Sequence, residues 1–266
     1  YTRHCAFPQP KKLTTFPGKQ LNGLVNNTLA TDIVAVAKAA EDNLLETGIS
    51  PKKVTVIING VEKMRKTTPE EQSELKKSLG IPQDAFVCGI SARLEEYKGH
   101  RYLLESAKIV TEKHPNTYFL IIGGGSEEEN LRNLAYEMGI STKVIFTGFV
   151  NDVAPYIMNL NLNCSIGTET SSLALSEGMS LSIPAIATTY GGNPYMITDG
   201  VNGFLVPERD PAAMAERICE IIENPSLYAQ LSKGAYEMYE KKFTASAMTR
   251  QLEELYVKSY VKHVEK

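Results

Sequence analysis

The stretch Phe86-Val-Cys-Gly-Ile-Ser91-Ala-Arg93-Leu-Glu-Glu-Tyr-Lys98-Gly99 decides the fold. Its first six residues form an apolar run of the kind that suits a strand covered on both faces. A helical pattern follows over residues 100–113, and a second apolar run at 118–122 reads as the next strand. The alternation continues in both directions. Further strands are expected at 54–58, 144–147, 160–164, 183–187 and 204–206, and further helices at 69–79, 127–138, 172–180 and 211–223. The helix starts carry suitable chemistry: Thr68-Pro69 and Asp210-Pro211 each place a capping side chain before an N1 proline, and Gly80 and Gly139 stand where helices should close. Strand–helix alternation of this length predicts an α/β chain with a doubly wound, Rossmann-like parallel sheet.

Bulk properties narrow the field by exclusion. The chain has 266 residues, 42% hydrophobic and 22% charged, with a net charge of -3. These are ordinary globular values, and they lack the basic footprint that nucleic-acid binding leaves. No apolar run approaches a membrane span. Cys5, Cys88, Cys164 and Cys219 are scattered, and are expected to be reduced core thiols of a cytoplasmic protein. The opening Tyr1-Thr-Arg-His4 reads as the end of a buried strand, so a front portion is expected to be missing. Helices are expected at 18–30 and 36–46. Residues 1–60 then read as the tail of a preceding domain plus a crossover, with no sheet of their own. Residues 61–242 read as the Rossmann-like domain and 243–266 as a C-terminal helix. Leu252, Leu255, Tyr256 and Tyr260 share one side of that helix.

Five segments carry chemistry. In Glu169-Thr-Ser-Ser-Leu-Ala-Leu-Ser-Glu177, Ser171 or Ser172 makes a helix N-cap. Glu169 then falls in the loop and Glu177 in the helix. A helix start offers N–H groups to phosphate, and a carboxylate about two turns on can accept from a vicinal diol; both acids can equally be solvated charges. Arg93 and Lys98 lie beyond the carboxyl end of a strand, where open parallel sheets bind ligands. A guanidinium fork beside a point charge suits a diphosphate, although surface pairing with Glu95 and Glu96 is the plainer reading. Gly123-Gly124-Gly125 permits close backbone approach, but Glu128 stands where a dinucleotide fingerprint wants its third glycine. Phe146-Thr-Gly148-Phe-Val150 could offer backbone groups to a base, and Tyr190-Gly-Gly-Asn-Pro194 could open a short helix. No metal is expected, because Asp-x-Asp is missing and the four histidines lack ligand spacing.

Taken together and in this order, the segments resemble glycosyltransferase family 4, whose members have the GT-B fold and transfer sugars with retained configuration. The resemblance runs from Tyr1 to about Tyr256 and rests above all on the Glu-x7-Glu spacing. Val56-Ile-Ile-Asn-Gly-Val-Glu62, Thr147-Gly148-Phe149 and Gly191-Gly192 are its companions. It implies that residues 1–60 end an acceptor-side domain and that 61–242 bind a nucleotide sugar. By the same resemblance Arg93 and Lys98 hold the donor diphosphate, Glu177 the ribose, and Glu169 the transferred sugar. Gly124, the Val150 backbone and the amides of Thr170, Ser171, Ser172 and Leu173 would meet nucleotide, phosphate and sugar. His4 resembles the histidine at the family's reaction centre. Tyr195 departs from the family, which often has Glu there, and so does Thr170-Ser171-Ser172, where a bulky aromatic followed by glycine is common.

The implied reaction moves a sugar from a nucleoside-diphosphate sugar such as a UDP-sugar or GDP-sugar to an acceptor hydroxyl, with no cofactor and no metal. The acceptor would be a glycan, a lipid or a small metabolite. Peripheral membrane contact, at the inner face, would come only through the missing domain. Three other readings stay open: a truncated donor-binding module, a GT-B sugar-nucleotide epimerase, and a nicotinamide-dependent Rossmann protein.

Overall fold

A computed structural model describes residues 1–4 and 9–264, with side chains as far as 261. The residues before Val61 form a sheet layer of their own, which corrects the expectation that they could not. β1 (Thr2–Arg3), α1 (Lys11–Thr14), α2 (Gly18–Leu29), β2 (Ile33–Ala35), α3 (Lys38–Glu46) and β3 (Val54–Val56) follow one another, and the strands pair in parallel in the order β1-β2-β3. Thr2 faces Val34 and Ile33 faces Val54 across the two ladders. The overlooked β2 belongs to the apolar run 33–37, all of it buried. A run that short cannot be told from the start of a helix by periodicity, so α3 begins at Lys38 and not at residue 36. The opening strand exists, but as an edge: Thr2 is exposed and Arg3 half-buried.

Beyond Val61 the chain continues as α4 (Pro69–Ser78), β4 (Phe86–Ser91), α5 (His100–Lys113), β5 (Thr117–Ile122), α6 (Glu128–Glu137), β6 (Val144–Phe146), α7 (Ala154–Met158) and β7 (Leu162–Ser165). It goes on through α8 (Leu173–Ser180), β8 (Ala185–Thr188), α9 (Asn193–Met196), β9 (Gly203–Val206), α10 (Pro211–Glu223), α11 (Pro225–Met238) and α12 (Ala245–Val264). The six strands β4 to β9 pair in parallel in the order β6-β5-β4-β7-β8-β9. Alternate residues face opposite layers, as the pleat requires. Cys88, Ile90, Phe119, Ile121 and Ile186 pack with α5, α6 and α10. Val87, Leu120 and Ile122 face the other way, toward Ile157 of α7 and Leu181 just after α8. Ala185 and Ala187 pack on Leu175, Met196 and Phe243. The order reverses between β4 and β7: the chain runs outward through β5 and β6, then returns to the far side of β4. Loops leaving β4 and β7 therefore part in opposite directions and leave a crevice at the strand ends.

The chain passes between the two sheets twice, side by side. The Val61 N–H donates to the Phe243 carbonyl at 2.9 Å, and the Ala245 N–H to the Val61 carbonyl at 3.0 Å. Gly60 has no room for a side chain, since a Cβ would stand 2.3 Å from the Thr244 carbonyl oxygen. α12 then packs on the first sheet, with Leu255 joining Val34 and Ile57, and the Ser259 hydroxyl donating to Asp32 Oδ2 at 2.6 Å. Only part of the expected apolar side is used: Leu252 packs there, while Tyr256 and Tyr260 are exposed. Cys88, Cys164 and Cys219 are free and buried, whereas Cys5 lies outside the described residues. Among the described residues, no helix is long and apolar enough to cross a membrane.

His100, the first residue of α5, is 2% exposed, and neither ring nitrogen has a partner among the described residues. Burial, reinforced by Lys98, pushes its pKa down to about 4. The folded chain thus keeps the ring neutral while the unfolded chain protonates it near the ordinary value of about 6.5. The stability from this difference is complete above that value and is lost as pH falls toward the folded value, by up to about 3 kcal/mol. His100→Leu should flatten the decline in stability between those two values, as urea unfolding at a series of pH values will show.

Candidate functional site

The β4–α5 loop is a tight turn. The Glu95 N–H donates to the Arg93 carbonyl at 2.9 Å and the Lys98 N–H to the Glu95 carbonyl at 2.9 Å. Gly99 ends it with φ 74°, a left-handed conformation that suits glycine. Arg93 and Tyr97 are thereby brought together: Arg93 Nη2 donates to the Tyr97 hydroxyl at 2.7 Å. Arg93 is exposed, and its partner is this tyrosine, not the neighbouring glutamates of the plainer reading.

Lys98 reaches across the crevice. Its Nζ donates to Glu169 Oε1, which follows β7, and both side chains are mostly buried, at 14% and 21% exposure. This contact spans the reversal in strand order, so it stands where an open parallel sheet binds its ligands. The pair nearly closes the space around it: the void walled by Ser91, Ser165 and Ser172 is about 10 Å³, enough for one water at most. A larger cleft of about 800 Å³ lies beside the same loop, against His100, Tyr102 and Arg209. It contains neither Arg93, Lys98, Glu169 nor Glu177, and so is not where the predicted residues meet.

Ser172 is the N-cap of α8, its hydroxyl accepting from the Leu175 N–H at 3.4 Å. Of the amides from Thr170 to Leu173, that of Ser172 points at Met196 Sδ, 3.3 Å away. Sulfur is a weak acceptor, so this amide is only weakly satisfied. Asn163, buried in β7, donates from Nδ2 to the Ala174 carbonyl at 2.7 Å and fixes the helix to the sheet. Glu177 lies in the second turn of α8, half-buried, and its carboxylate has no partner among the described residues. Burial raises its pKa.

Both glycine turns proved to be parts of this scaffold. A Cβ on Gly123 would stand 2.2 Å from the Ala92 carbonyl oxygen and one on Gly125 2.3 Å from that of Leu94. The Leu94 N–H donates to the Gly124 carbonyl at 3.1 Å. The triple glycine therefore presses on the loop that carries Arg93. Gly191 and Gly192 do the same for Glu169: the Gly192 N–H donates to the Glu169 carbonyl at 2.8 Å, and a Cβ on Gly192 would lie 1.8 Å from the Thr170 carbonyl oxygen. Asn193, fully buried, donates from Nδ2 to the Ser165 carbonyl and the Thr188 hydroxyl at 3.3 Å each and ties the ends of β7 and β8 beneath the loop.

The structure thus brings Lys98 and Glu169 into contact and sets Arg93, Ser171, Ser172, Leu173 and Glu177 on the loops and helix around them. Gly124 and Val150 flank one edge, where the Gly123 N–H donates to the Gly148 carbonyl at 3.1 Å and Phe149 stands 82% exposed. His4 does not share this sheet; it follows β1, exposed, on the first one. Tyr195 turns away from the crevice to the first layer, its hydroxyl donating to Asp42 Oδ2 on α3 at 3.3 Å. Two contributors escaped the sequence reading, Tyr97 and Asn193. A tyrosine in a charged turn and an asparagine after two glycines carry no pattern of their own.

Comparison with known proteins matches residues 71–238 to the family model described as glycosyl transferases group 1. The chain belongs to that family. EpsD of Bacillus subtilis (strain 168), whose name places it among glycosyltransferases, is 32% identical over 199 residues, covering 73% of this chain and 52% of its own length. The capsular polysaccharide biosynthesis glycosyltransferase CapM of Staphylococcus aureus is 26% identical over 236 residues, covering 85% and 61%. HepE of Anabaena, solved in complex with UDP, superposes with a TM-score of 0.87 at 22% identity over 97% of this chain and 71% of its own. That likeness fixes the fold as GT-B-like α/β. The chain spans about half the length of EpsD.

In this member of the group 1 family, the site depends on two glycines that hold a loop by its main chain. Gly192→Ala forces a methyl against the Thr170 carbonyl and should cost about 1–3 kcal/mol while weakening ligand binding. Gly200→Ala, at φ 73° with nothing within 4 Å, should cost about 1 kcal/mol or more through backbone strain and leave binding intact. Urea unfolding together with calorimetry of both variants checks the contrast. Equal binding losses would show that Gly192 does not locate the Glu169 loop.

Proposed function

We propose that this chain is the donor-binding part of a retaining glycosyltransferase that moves a sugar from a nucleoside-diphosphate sugar to an acceptor hydroxyl. The observation that carries the reading is the meeting of Lys98 and Glu169 at the strand reversal. Arg93 beside them and Glu177 on α8, whose carboxylate has no partner among the described residues, complete the set. Two cations can meet a diphosphate, one as a fork and one as a point charge. An unpaired, desolvated carboxylate can regain hydrogen bonds from a ribose diol. HepE, the protein with the similar fold, has been solved with UDP and also with UDP-glucose, which supports a donor of that class.

On this reading, the donor's phosphate takes Lys98 from Glu169, and the freed carboxylate turns to the sugar's hydroxyls. The bond from the anomeric carbon to the phosphate oxygen breaks as the bond to the acceptor oxygen forms on the same face, and the leaving phosphate accepts the acceptor's proton. Arg93, Lys98 and the amides at Thr170–Leu173 meet the charge that develops on the leaving group. Because side chains and amides supply that charge, transfer should persist in EDTA. Gly124 and the Val150 backbone would border the base. His4, on the first sheet, would belong to the acceptor side. That side would take a glycan, a lipid or a small metabolite; a cytoplasmic site, at the inner membrane face for a lipid acceptor, goes with this reading.

A second reading is a module that binds donor without transferring it. It is favoured by one fact, that the chain spans only about half the length of EpsD. Calorimetry with UDP, GDP and ADP paired with a transfer assay separates the two, since binding without transfer supports the module. In a protein that transfers, Arg93→Ala should lower turnover tenfold or more, and unchanged turnover would remove the role given to Arg93. Glu177→Ala should weaken a nucleoside diphosphate far more than it weakens inorganic pyrophosphate, which has no ribose. Because burial raises the Glu177 pKa, affinity for the nucleoside diphosphate should fall on acidification at higher pH than an ordinary glutamate would give.

A further inference from the structure

Tyr97 is the residue that both cations of the crevice share. Its hydroxyl accepts from Arg93 Nη2 at 2.7 Å. The Lys98 ammonium lies over its ring, 5.3 Å from the centroid. Its carbonyl accepts from the Thr168 N–H at 3.0 Å, and Gly167 has no side chain because a Cβ would stand 2.3 Å from that same oxygen. One residue of the β4–α5 loop thus touches both cations and the loop that brings Glu169. Yet Tyr97 is 41% exposed and lies in no hydrophobic cluster of the fold. A tyrosine held for packing would be buried, and one held for solubility would not organise two charges.

We propose that Tyr97 is a positioning residue for the donor's diphosphate, holding Arg93 by its hydroxyl and Lys98 against its ring so that both cations converge before a ligand arrives. This rests on the reading of Arg93 and Lys98 as diphosphate ligands. The physical reason is entropic. Arginine and lysine are long side chains, and ordering each on binding costs about two- to tenfold in affinity. A tyrosine that orders them beforehand removes part of that cost. The guanidinium has five N–H groups, and Tyr97 takes one, leaving the remainder for phosphate oxygens.

The test is a double-mutant cycle on the chain described here, read by calorimetry with UDP, GDP and ADP in parallel, taking whichever binds the parent tightest. Tyr97→Phe removes the hydroxyl and keeps the ring, and should raise Kd about two- to tenfold with little change in thermal midpoint. Tyr97→Leu removes both and should raise it further. The deciding comparison is made in the Arg93→Ala background, where Tyr97→Phe should add nothing, because the group it positions is gone. If Tyr97→Phe weakens binding equally with and without Arg93, or leaves the parent unchanged, the positioning role is overturned while the diphosphate reading stands. If Arg93→Ala and Lys98→Ala both bind as the parent does, or if none of the three nucleotides binds, the diphosphate reading itself has failed and this role falls with it.

Discussion

The reversal of strand order between β4 and β7 is the constraint on which the site depends. At such a reversal the two neighbouring parallel strands send their following segments to opposite layers of the sheet. The loop after β4 carries Arg93, Tyr97 and Lys98, and the loop after β7 carries Glu169 and the N-cap of α8. Their residues are about seventy positions apart in the chain and meet only because the sheet is wound outward twice from this one place. Lys98 and Glu169 are then a partly buried ion pair in an enclosure with little room for water. Such a pair has given up hydration and will readily exchange partners if a better-placed anion and hydroxyl are offered.

Around this pair, the fold uses main chain where it could have used side chains. Gly123 and Gly125 let the β5–α6 turn close on Ala92 and Leu94, Gly167 lets the β7–α8 loop close on Tyr97, and Gly191 and Gly192 close on Glu169 and Thr170. The four loops, after β4, β5, β7 and β8, form one body because glycine permits backbone to rest on backbone. Asn193 and Asn163 hold the same body to the sheet from beneath, each buried and donating to a carbonyl. The backbone of the crevice is therefore set by contacts that leave no room for a side chain at these glycines.

Legibility in the sequence followed the length and periodicity of each element. The runs that became β4 and β5 were readable because each contains five consecutive residues without a polar side chain other than the Tyr118 hydroxyl, and Thr68, Asp210, Gly80 and Gly139 marked helix ends by their own chemistry. β2, three residues inside a longer apolar run, was not readable, and with it the first sheet was missed. α7 was hidden by its length of only five residues, and α11 was passed over although Asn224-Pro225 marks its start with the same cap and N1 proline as α4 and α10. At the site, Arg93, Lys98, Glu169 and Glu177 could be nominated because charged residues beyond a strand end are conspicuous. The strand order that joins them could not, since order is set by packing between layers rather than by any local pattern. α12 shows the opposite error: Tyr256 and Tyr260 share the apolar side in sequence, yet both are exposed while Leu252 and Leu255 pack on the first sheet.

The Glu169 loop is located by its backbone, through the Gly192 N–H on the Glu169 carbonyl and the Thr168 N–H on the Tyr97 carbonyl. Neither bond consults a side chain of that loop. Residues such as Thr168 and Ser171 can therefore be exchanged over evolutionary time without displacing the carbonyls that fix the path. The path of the main chain and the surface that the side chains present are then set separately. One fold can keep the first constant and vary the second, and a lineage can change what it recognises without first having to rebuild where recognition happens.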